Sequence, residues 1–340
     1  MSIEIGWNLG MAVAGTAIVW VSSIRLETAS YRVAEYHGIP EAVNGAVITA
    51  IASSFPEFSS VVIATLVHGD FALGVAAIVG SAIFNILMIP SLAVLTGGSL
   101  RANREVVYKD ALFYIVAVVV LLLTLSLAAI YFPVAGEDIL GTLTRELALV
   151  PLGLYALYLY IQYHDSKDED SSTAKKSDAS VGSEWAALLG CMLLIALGVE
   201  LLVRSALSLG QIMGTPTFLW GLTIVAAGTS LPDLFISINA ARSGRSITSL
   251  SNVLGSNTFD LLVAVPVGVM LAGATVINFS RAAPMMGCLV LATIVLFVCM
   301  RKDMILRQAE AIAMLVLYII FVTWMVLESF GVTSLLDAAL

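Results

Sequence analysis

The sequence is poor in charged residues and in the side chains that bind soft metals. Only 12% of its 340 residues are Asp, Glu, Lys or Arg, and the net charge of −8 offers no basic surface for nucleic acid. The three cysteines, Cys191, Cys288 and Cys299, each stand alone in an apolar run. This spacing fits neither a zinc knuckle nor a redox motif, and it implies no disulfides. The scarcity therefore argues against nucleic-acid-binding and disulfide-stabilised classes.

Apolar residues dominate what remains. They make up 59% of the chain, and runs such as 113–131 are long enough to cross a bilayer core of about 30 Å. The N-terminal segment has an acidic rather than a basic start, MSIEIGWNLG, and lacks a small-residue cleavage site after a short apolar core. We therefore expect a retained first helix rather than a signal peptide. The predicted fold class is an all-α membrane protein embedded in the lipid bilayer.

Hydropathy and turn residues predict ten transmembrane helices. They are expected at residues 7–24, 42–66, 72–97, 110–132, 146–163, 185–208, 217–241, 248–273, 284–300 and 309–328. With the N-terminus outside the cell, 13 of the 16 Lys and Arg residues fall on the cytoplasmic side, as the positive-inside rule requires. The sequence thus predicts a multi-pass plasma-membrane protein with both termini extracellular. The polar, low-complexity segment 164–184 is predicted to be a cytoplasmic linker.

The sequence contains an internal repeat. Residues 38–57 align with 214–233 at a shift of 176, and residues 79–87 align with 254–262 at a shift of 175. Each copy contains one longer and one shorter matching block, in the same order along the chain. The simplest interpretation is that the protein consists of two related halves.

The halves are predicted to be residues 1–163 and 185–340, with repeat segments at about 42–97 and 217–273. Each would contain five helices. Because five is odd, the second half must cross the membrane in the opposite direction to the first. Inverted repeats with helices interrupted at matching positions are typical of secondary transporters, whose substrate site lies near the bilayer midplane.

Both repeats contain a hexapeptide with hydroxyls, a proline and a carboxylate, ASSFPE and GTSLPD. Residues three and four apart share a helix face, so the hydroxyls should lie beside the carboxylate. The groups are Ser53, Ser54 and Glu57 in the first copy and Thr229, Ser230 and Asp233 in the second. Pro56 and Pro232 lack an N–H. Each is expected to open the helix before it, at 52–53 and at 228–229, and to free carbonyl oxygens for ion binding.

A second motif follows in each repeat, VGSAIFN and LGSNTFD. Ser81 and Asn85 are four residues apart, as are Ser256 and Asp260, so each pair presents a hydroxyl and an amide or carboxylate on one helix face. The small Gly-Ser step also lets helices approach closely. We expect these side chains to form the other wall of the same site.

Glu57, Asp233 and Asp260 are then three carboxylates deep in apolar helices. A charged side chain at the centre of a membrane helix costs about 2.5 to 3.5 kcal/mol, so three at matched positions indicate function. Carboxylate, hydroxyl, amide and carbonyl oxygens, without His or Cys, suit a hard cation such as Ca²⁺ or Na⁺. Glu200 and Arg204, near the outer end of the sixth helix, are interpreted instead as a salt bridge.

The four motifs ASSFPE, GTSLPD, VGSAIFN and LGSNTFD resemble the two alpha-repeats of the sodium/calcium exchangers, in the cation/calcium antiporter superfamily. The short linker resembles the prokaryotic type. The resemblance implies a transporter, not an enzyme, that carries Ca²⁺ against Na⁺ by alternating access, with no cofactor and no obligatory protein partner. It implies that Glu57 and Asp233 are the principal Ca²⁺ ligands and that Asn85 and Asp260 complete the centre. The flanking Na⁺ positions would be lined by the hydroxyls of Ser53, Ser54, Ser81, Thr229, Ser230 and Ser256, and the carbonyls of Ala50 and Ala226 are further implied ligands.

The sequence departs from the family pattern at two site positions. Ser53 stands where threonine is common, and Asp233 where glutamate is usual. Several alternatives stay open at this point. H⁺ or K⁺ could replace Na⁺, and Mn²⁺ could replace Ca²⁺, on the same fold. An intramembrane aspartyl protease would use two buried acids, but its YD and GxGD motifs are absent from the sequence. A passive cation channel is a third alternative, disfavoured by the inverted repeat.

Overall fold

The fold is a bundle of long helices. The computed structural model describes residues 2–37, 48, 50–135, 137–166, 181–330, 332 and 333. The helices are α1 (Ser2–Tyr36), α2 (Ala50–Ser53), α3 (Phe55–Leu66), α4 (Phe71–Gly97), α5 (Ala111–Tyr131), α6 (Arg145–Ser166), α7 (Val181–Met213), α8 (Thr217–Trp220), α9 (Ala226–Arg242), α10 (Ser246–Phe259), α11 (Val265–Ala272), α12 (Phe279–Arg301) and α13 (Gln308–Ser329). Short π-helical turns precede α5, join α8 to α9 and join α10 to α11.

Among the described residues, eight helical stretches are long and apolar enough to cross a membrane. They are α1, α4, α5, α7, α8 with α9, α10 with α11, α12 and α13. The stretches of α5, α8 with α9, and α10 with α11 include their π-helical turns. Helix α3 is apolar but only 12 residues long. Helix α6 coincides with the predicted fifth span, yet it is not among the eight. A membrane protein built from apolar helices is therefore confirmed, whereas the count of ten spans stays a prediction.

Two predicted boundaries are wrong at the ends of α1 and α7. Helix α1 continues to Tyr36 instead of ending at residue 24, and α7 begins at Val181, inside the predicted linker. Glu184 is therefore a buried helical residue. Its carboxylate accepts hydrogen bonds from Arg25 Nη2 at 3.1 Å and from Arg32 Nη1 at 2.8 Å. The charges that marked loops in the sequence instead join two helices, and the rest of the predicted linker, 167–180, lies outside the described residues.

Short strands join the connecting segments, a feature that the all-α prediction missed. Strand β1 (Leu100–Arg101) pairs antiparallel with β5 (Ile305–Leu306). Strand β3 (Glu137–Thr144) pairs antiparallel with both β2 (Pro133–Val134) and β4 (Ala274–Asn278). The two sheets satisfy the backbone groups of segments that leave the helices, which apolar periodicity cannot reveal. Each sheet groups connections that the sequence places on one side of the membrane.

Helix α4 lies at the centre of the bundle and packs against α3, α9, α12 and α13. Nearly every residue from Phe71 to Val94 along it is buried. Glycines permit the closest approaches. A Cβ atom at Gly221 would lie 2.6 Å from the carbonyl oxygen of Leu73 in α4. The central helix thus holds the second-repeat helices at backbone distance, which fixes the position of the residues that follow.

Helices α1 and α7 form the most extensive pair in the bundle. They cross at Gly15 and Gly198, where a Cβ on Gly198 would lie 2.8 Å from the carbonyl oxygen of Gly15. At one end, Ser205 Oγ donates to the carbonyl oxygen of Asn8 at 2.8 Å. At the other end, Glu184 binds the two arginines of α1. The pair is therefore fastened at its crossing point and at both ends.

The close crossing predicts that Gly198→Ala destabilises the protein. The new methyl group must displace backbone, so we expect the free energy of unfolding to fall by about 1 to 3 kcal/mol. Gly190→Ala, in the same helix, is the control because nothing lies within 4 Å of a Cβ there. Thermal unfolding in detergent compares them. Equal midpoints for the two variants would contradict the crossing.

Candidate cation site

The first hexapeptide lies at a break between two helices. Helix α2 ends at Ser53 and α3 starts at Phe55, with Ser54 between them. Pro56 occupies the first turn of α3, where a helix needs no N–H donor from that position. The opening expected before Pro56 is therefore present, one residue later than predicted.

The second hexapeptide behaves differently. Helix α9 continues through Pro232 without a break, so the predicted opening at 228–229 is wrong. The missing N–H of Pro232 removes only the helical donor to the carbonyl oxygen of Gly228. The irregularity lies one turn earlier, in the π-helical turn Gly221–Val225, where the close contact with α4 occurs. A second π-helical turn starts at Asp260, and such turns are frequent at functional sites.

All ten predicted side-chain ligands are buried in the helix bundle. None is more than 2% exposed. They are Ser53, Ser54, Glu57, Ser81, Asn85, Thr229, Ser230, Asp233, Ser256 and Asp260. The two residues predicted to contribute carbonyls begin helices: Ala50 begins α2, and Ala226 begins α9. Burial of so many polar groups costs free energy unless each has a hydrogen-bond partner.

Hydroxyl groups connect the motifs of the two repeats. Ser230 Oγ donates to Glu57 Oε1 at 3.2 Å and lies 2.6 Å from Ser81 Oγ. Ser54 Oγ donates to the carbonyl oxygen of Ser256 at 3.3 Å. Each hexapeptide therefore contacts the second motif of the other repeat. The structure brings all four motifs together, as their recurrence predicts.

Asn85 links two elements of the second repeat. Its Nδ2 donates to Asn257 Oδ1 at 2.9 Å and to Asp233 Oδ2 at 3.4 Å. Asn257 Nδ2 in turn donates to the carbonyl oxygen of Ala82 at 3.3 Å. These bonds orient the amide of Asn85 with its oxygen free. Asn257 was not predicted as a site residue, although it stands inside LGSNTFD.

The three carboxylates repel one another. The charges of Asp233 and Asp260 both act on Glu57, and that of Asp233 acts on Asp260. Across the described residues, no Lys, Arg or His pairs with any of the three. Besides Asn85, the polar neighbours of Asp233 are Ser53, Ser256 and Asn252. The negative charge of the three acids is therefore left without a cationic partner in the described part of the chain.

Five buried acceptor oxygens of the site have no hydrogen-bond donor within the described structure. They are Glu57 Oε2, Asp233 Oδ1, Asp260 Oδ1, Asp260 Oδ2 and Asn85 Oδ1. Unpaired buried acceptors are strongly unfavourable, and those of a carboxylate more so. In the described part of the chain, however, no three His, Cys, Asp or Glu side chains converge on one metal position.

Glu27 of α1 is a further carboxylate near the site that the sequence did not single out. It is half-buried, and its charge acts on Asp233. It lies outside the aligned segments of the internal repeat, so the recurrence of the motifs does not reveal it. Away from the site, Glu200 and Arg204 form the predicted salt bridge at 2.5 Å, and His68 Nε2 lies 2.9 Å from the same carboxylate.

Comparison with known proteins places this geometry in a family. A family model described as sodium/calcium exchanger protein matches residues 7–164 and 183–327. The putative antiporter CaxA of Alkalimonas amylolytica is 30% identical over 269 residues, which cover 75% of this chain and 77% of CaxA. An uncharacterized membrane protein of Methanocaldococcus jannaschii is 26% identical over 314 residues, covering 92% of this chain and 96% of its own.

Solved structures agree with the sequence matches. The sodium-calcium exchanger NCX_Mj, soaked with Na⁺ and Sr²⁺, is 25% identical with a TM-score of 0.63, over 95% of this chain and 99% of that one. Among the sequence relatives, sodium/potassium/calcium exchanger 1 of Bos taurus is 43% identical over 83 residues, which are 24% of this chain and 7% of that protein. The resemblance seen in the motifs is thus confirmed along nearly the whole length: the chain belongs to the sodium/calcium exchanger family of membrane transport proteins.

Proposed function

We propose that the protein is a secondary active antiporter that exchanges Ca²⁺ for Na⁺ by alternating access. The observation that carries this proposal is the group of five buried acceptor oxygens without donors. Four of these oxygens belong to the carboxylates of Glu57, Asp233 and Asp260, and the described protein offers these negative charges no counter-charge. Cations that enter and leave the bundle would neutralise them. These cations would thus be transported substrates that bind and leave, not a permanent part of the protein.

The donor set favours hard cations over soft ones. Ca²⁺ takes six to eight oxygen ligands in flexible geometry, and Na⁺ has a similar radius. Glu57 and Asp233 would supply the principal Ca²⁺ carboxylates, with Asn85 and Asp260 completing the centre. The hydroxyls on both repeats would complete the neighbouring Na⁺ positions, with the carbonyls of Ala50 and Ala226. Since three acids do not converge on one point, adjoining ions would share carboxylates.

Shared carboxylates give a physical reason for exchange. Ser230 contacts Glu57 and Ser81, so its oxygen adjoins two of the proposed positions. A Ca²⁺ ion on Glu57 would withdraw that carboxylate from Na⁺, and Na⁺ would do the same to Ca²⁺. One ion must therefore leave before the other binds. Competition for common ligands couples the two fluxes without any additional device.

We also propose ten spans in two inverted halves, residues 1–163 and 185–340, joined by a cytoplasmic linker, with both termini outside the plasma membrane. The charge distribution of the loops supports this orientation. The small sheets support it as well. One joins the segments around residues 100 and 305, which are cytoplasmic in this arrangement, and the other joins 133–144 to 274–278, which are extracellular.

Coupling to K⁺ is a second candidate, and one observation favours it. The 83-residue match to a sodium/potassium/calcium exchanger has higher identity than the longer matches to other relatives. Asp233 is one methylene shorter than the glutamate usual at its position, which alters the size of the site. H⁺ coupling and Mn²⁺ transport stay alternatives on the same fold.

Purified protein in liposomes should take up radiolabelled Ca²⁺ when an outward Na⁺ gradient is imposed. Parallel assays with K⁺ or H⁺ gradients, one at a time, identify the coupling ion. Uptake that responds to H⁺ or K⁺ but not to Na⁺ would replace the proposed coupling. Uptake that ignores every gradient would contradict antiport.

Glu57→Gln and Asp233→Asn should each lower this uptake at least about tenfold, because each replaces a charged oxygen ligand of the cation by a neutral amide, and a loss of about 1.4 kcal/mol in binding already corresponds to a factor of ten. Glu146→Gln removes an exposed carboxylate and serves as the control. Full uptake by either site variant would show that these carboxylates do not bind the transported ions.

Repulsion among the three acids predicts an unusual effect on stability. In ion-free buffer, Asp260→Asn should raise the thermal unfolding midpoint because it removes a charge that repels Asp233 and Glu57. Added Ca²⁺ should then raise the midpoint less than in the unmodified protein. Asp70→Asn is the contrast, since Asp70 accepts bonds from Leu73 N and Thr217 Oγ1 and its loss should be destabilising. A lower ion-free midpoint for Asp260→Asn would contradict the repulsion.

A further inference from the structure

Helix α1 has a polar stripe along one face. The stripe consists of Thr16, Trp20, Ser23, Glu27 and Ser30. Their spacings alternate between four and three residues, so all five lie on the same side of the helix. Polar side chains are unfavourable in contact with lipid, so the members of the stripe should face protein or water.

Two of its members show where the stripe faces. A Cβ atom at Gly228 of α9 would lie 2.8 Å from Thr16 Oγ1. The Trp20 ring stacks on the Phe235 ring, with centroids 4.4 Å apart. Gly228 and Phe235 stand on either side of Asp233 along α9. The polar face of α1 therefore runs beside the second hexapeptide, and Glu27 lies two turns beyond Trp20 toward the arginines of α1.

Polar atoms of the stripe lack partners among the described residues. Ser23 is 2% exposed, and its Oγ has no hydrogen-bond partner; nor does the buried Nε1 of Trp20. Hydrophilic atoms buried in this way indicate a place that water or an ion reaches. The stripe thus has hydrogen-bonding capacity that the described protein leaves unused.

Glu27 carries the negative charge of the stripe. It is half-buried, whereas Asp233 is 1% exposed, so Glu27 stands between the buried site and solvent. The neighbouring cations of α1, Arg25 and Arg32, both bind Glu184 instead. Within the described contacts, no Lys or Arg pairs with Glu27. Its charge nevertheless acts on Asp233, so the two carboxylates lie in the same region of the bundle.

We propose that this face of α1 lines the route by which cations travel between the site and the end of the bundle that carries Arg25 and Glu184. Glu27 is the carboxylate that a cation contacts on this route before it reaches Asp233. The inference rests on the proposed cation exchange and adds to it a binding position outside the repeats. A fixed negative charge at a narrow entrance raises the local cation concentration and the rate of entry.

The test measures Ca²⁺ transport as a function of Ca²⁺ concentration on each side of proteoliposomes with sorted orientation. Glu27→Gln should raise the half-saturating Ca²⁺ concentration about threefold to tenfold on the side that carries Glu184, with little change on the other side. Glu27→Asp should restore most of the affinity. Glu35→Gln, two turns further along α1, is the control and should behave like the unmodified protein.

Thiol accessibility gives a readout that is independent of transport. In a background without the three native cysteines, Ser23→Cys should react with a water-soluble thiol reagent, and saturating Ca²⁺ should slow the reaction. Val19→Cys is the matched control, because Val19 is fully buried against Gly198 on α7 and should not react.

The outcomes separate the two proposals. If the unmodified protein exchanges Ca²⁺ but Glu27→Gln has unchanged affinity on both sides, or Ser23→Cys is as unreactive as Val19→Cys, the route along α1 is wrong and the proposed function stands. If the unmodified protein moves no Ca²⁺ under any gradient, the proposed function itself fails. An equal loss of affinity on both sides would also overturn the route, since it would assign Glu27 a general structural role.

Discussion

Mutual repulsion among Glu57, Asp233 and Asp260 is the constraint on which the rest of the structure depends. Three carboxylates buried in an apolar bundle, with no cationic neighbour among the described residues, would oppose folding unless a positive charge joined them. The described protein has no such charge at this place. Exchangeable cations would supply it. The repulsion that opposes folding is therefore the same interaction that would make the bundle bind cations.

The scaffold around the acids is correspondingly close-packed. Gly221 brings the π-helical turn before α9 into contact with the backbone of α4, and α1 crosses α7 at Gly15 and Gly198. Hydrogen bonds from Ser230 and Asn85 hold one oxygen of Glu57 and one of Asp233 and leave the other oxygen free. Rigid packing thus prevents the carboxylates from moving apart to relieve their repulsion, and the free oxygens stay directed into the site.

The internal repeat made most of the candidate site predictable, because matched positions in the two copies meet at one place. Glu57, Asp233, Asp260 and Asn85 were found in this way. Asn257 and Glu27 were not. Asn257 stands opposite the apolar Ala82 in the aligned motifs, and Glu27 lies outside the aligned segments, on a helix whose contact with α9 the sequence does not reveal. Pro232 was misjudged because a proline removes one helical donor without having to end the helix, and α9 continues through it. Glu184 was misjudged because a buried ion pair looks, in sequence, like a charged loop.

The most direct test is to locate the cations themselves. Crystals of the protein soaked with Sr²⁺, an anomalous scatterer that substitutes for Ca²⁺, should show a peak in contact with Glu57 Oε2 and Asp233 Oδ1. The peak should weaken as Na⁺ is added and vanish in Glu57→Gln. A peak elsewhere in the bundle, with the five acceptor oxygens left without an ion at saturating Sr²⁺, would contradict the assignment of these residues as the exchange site.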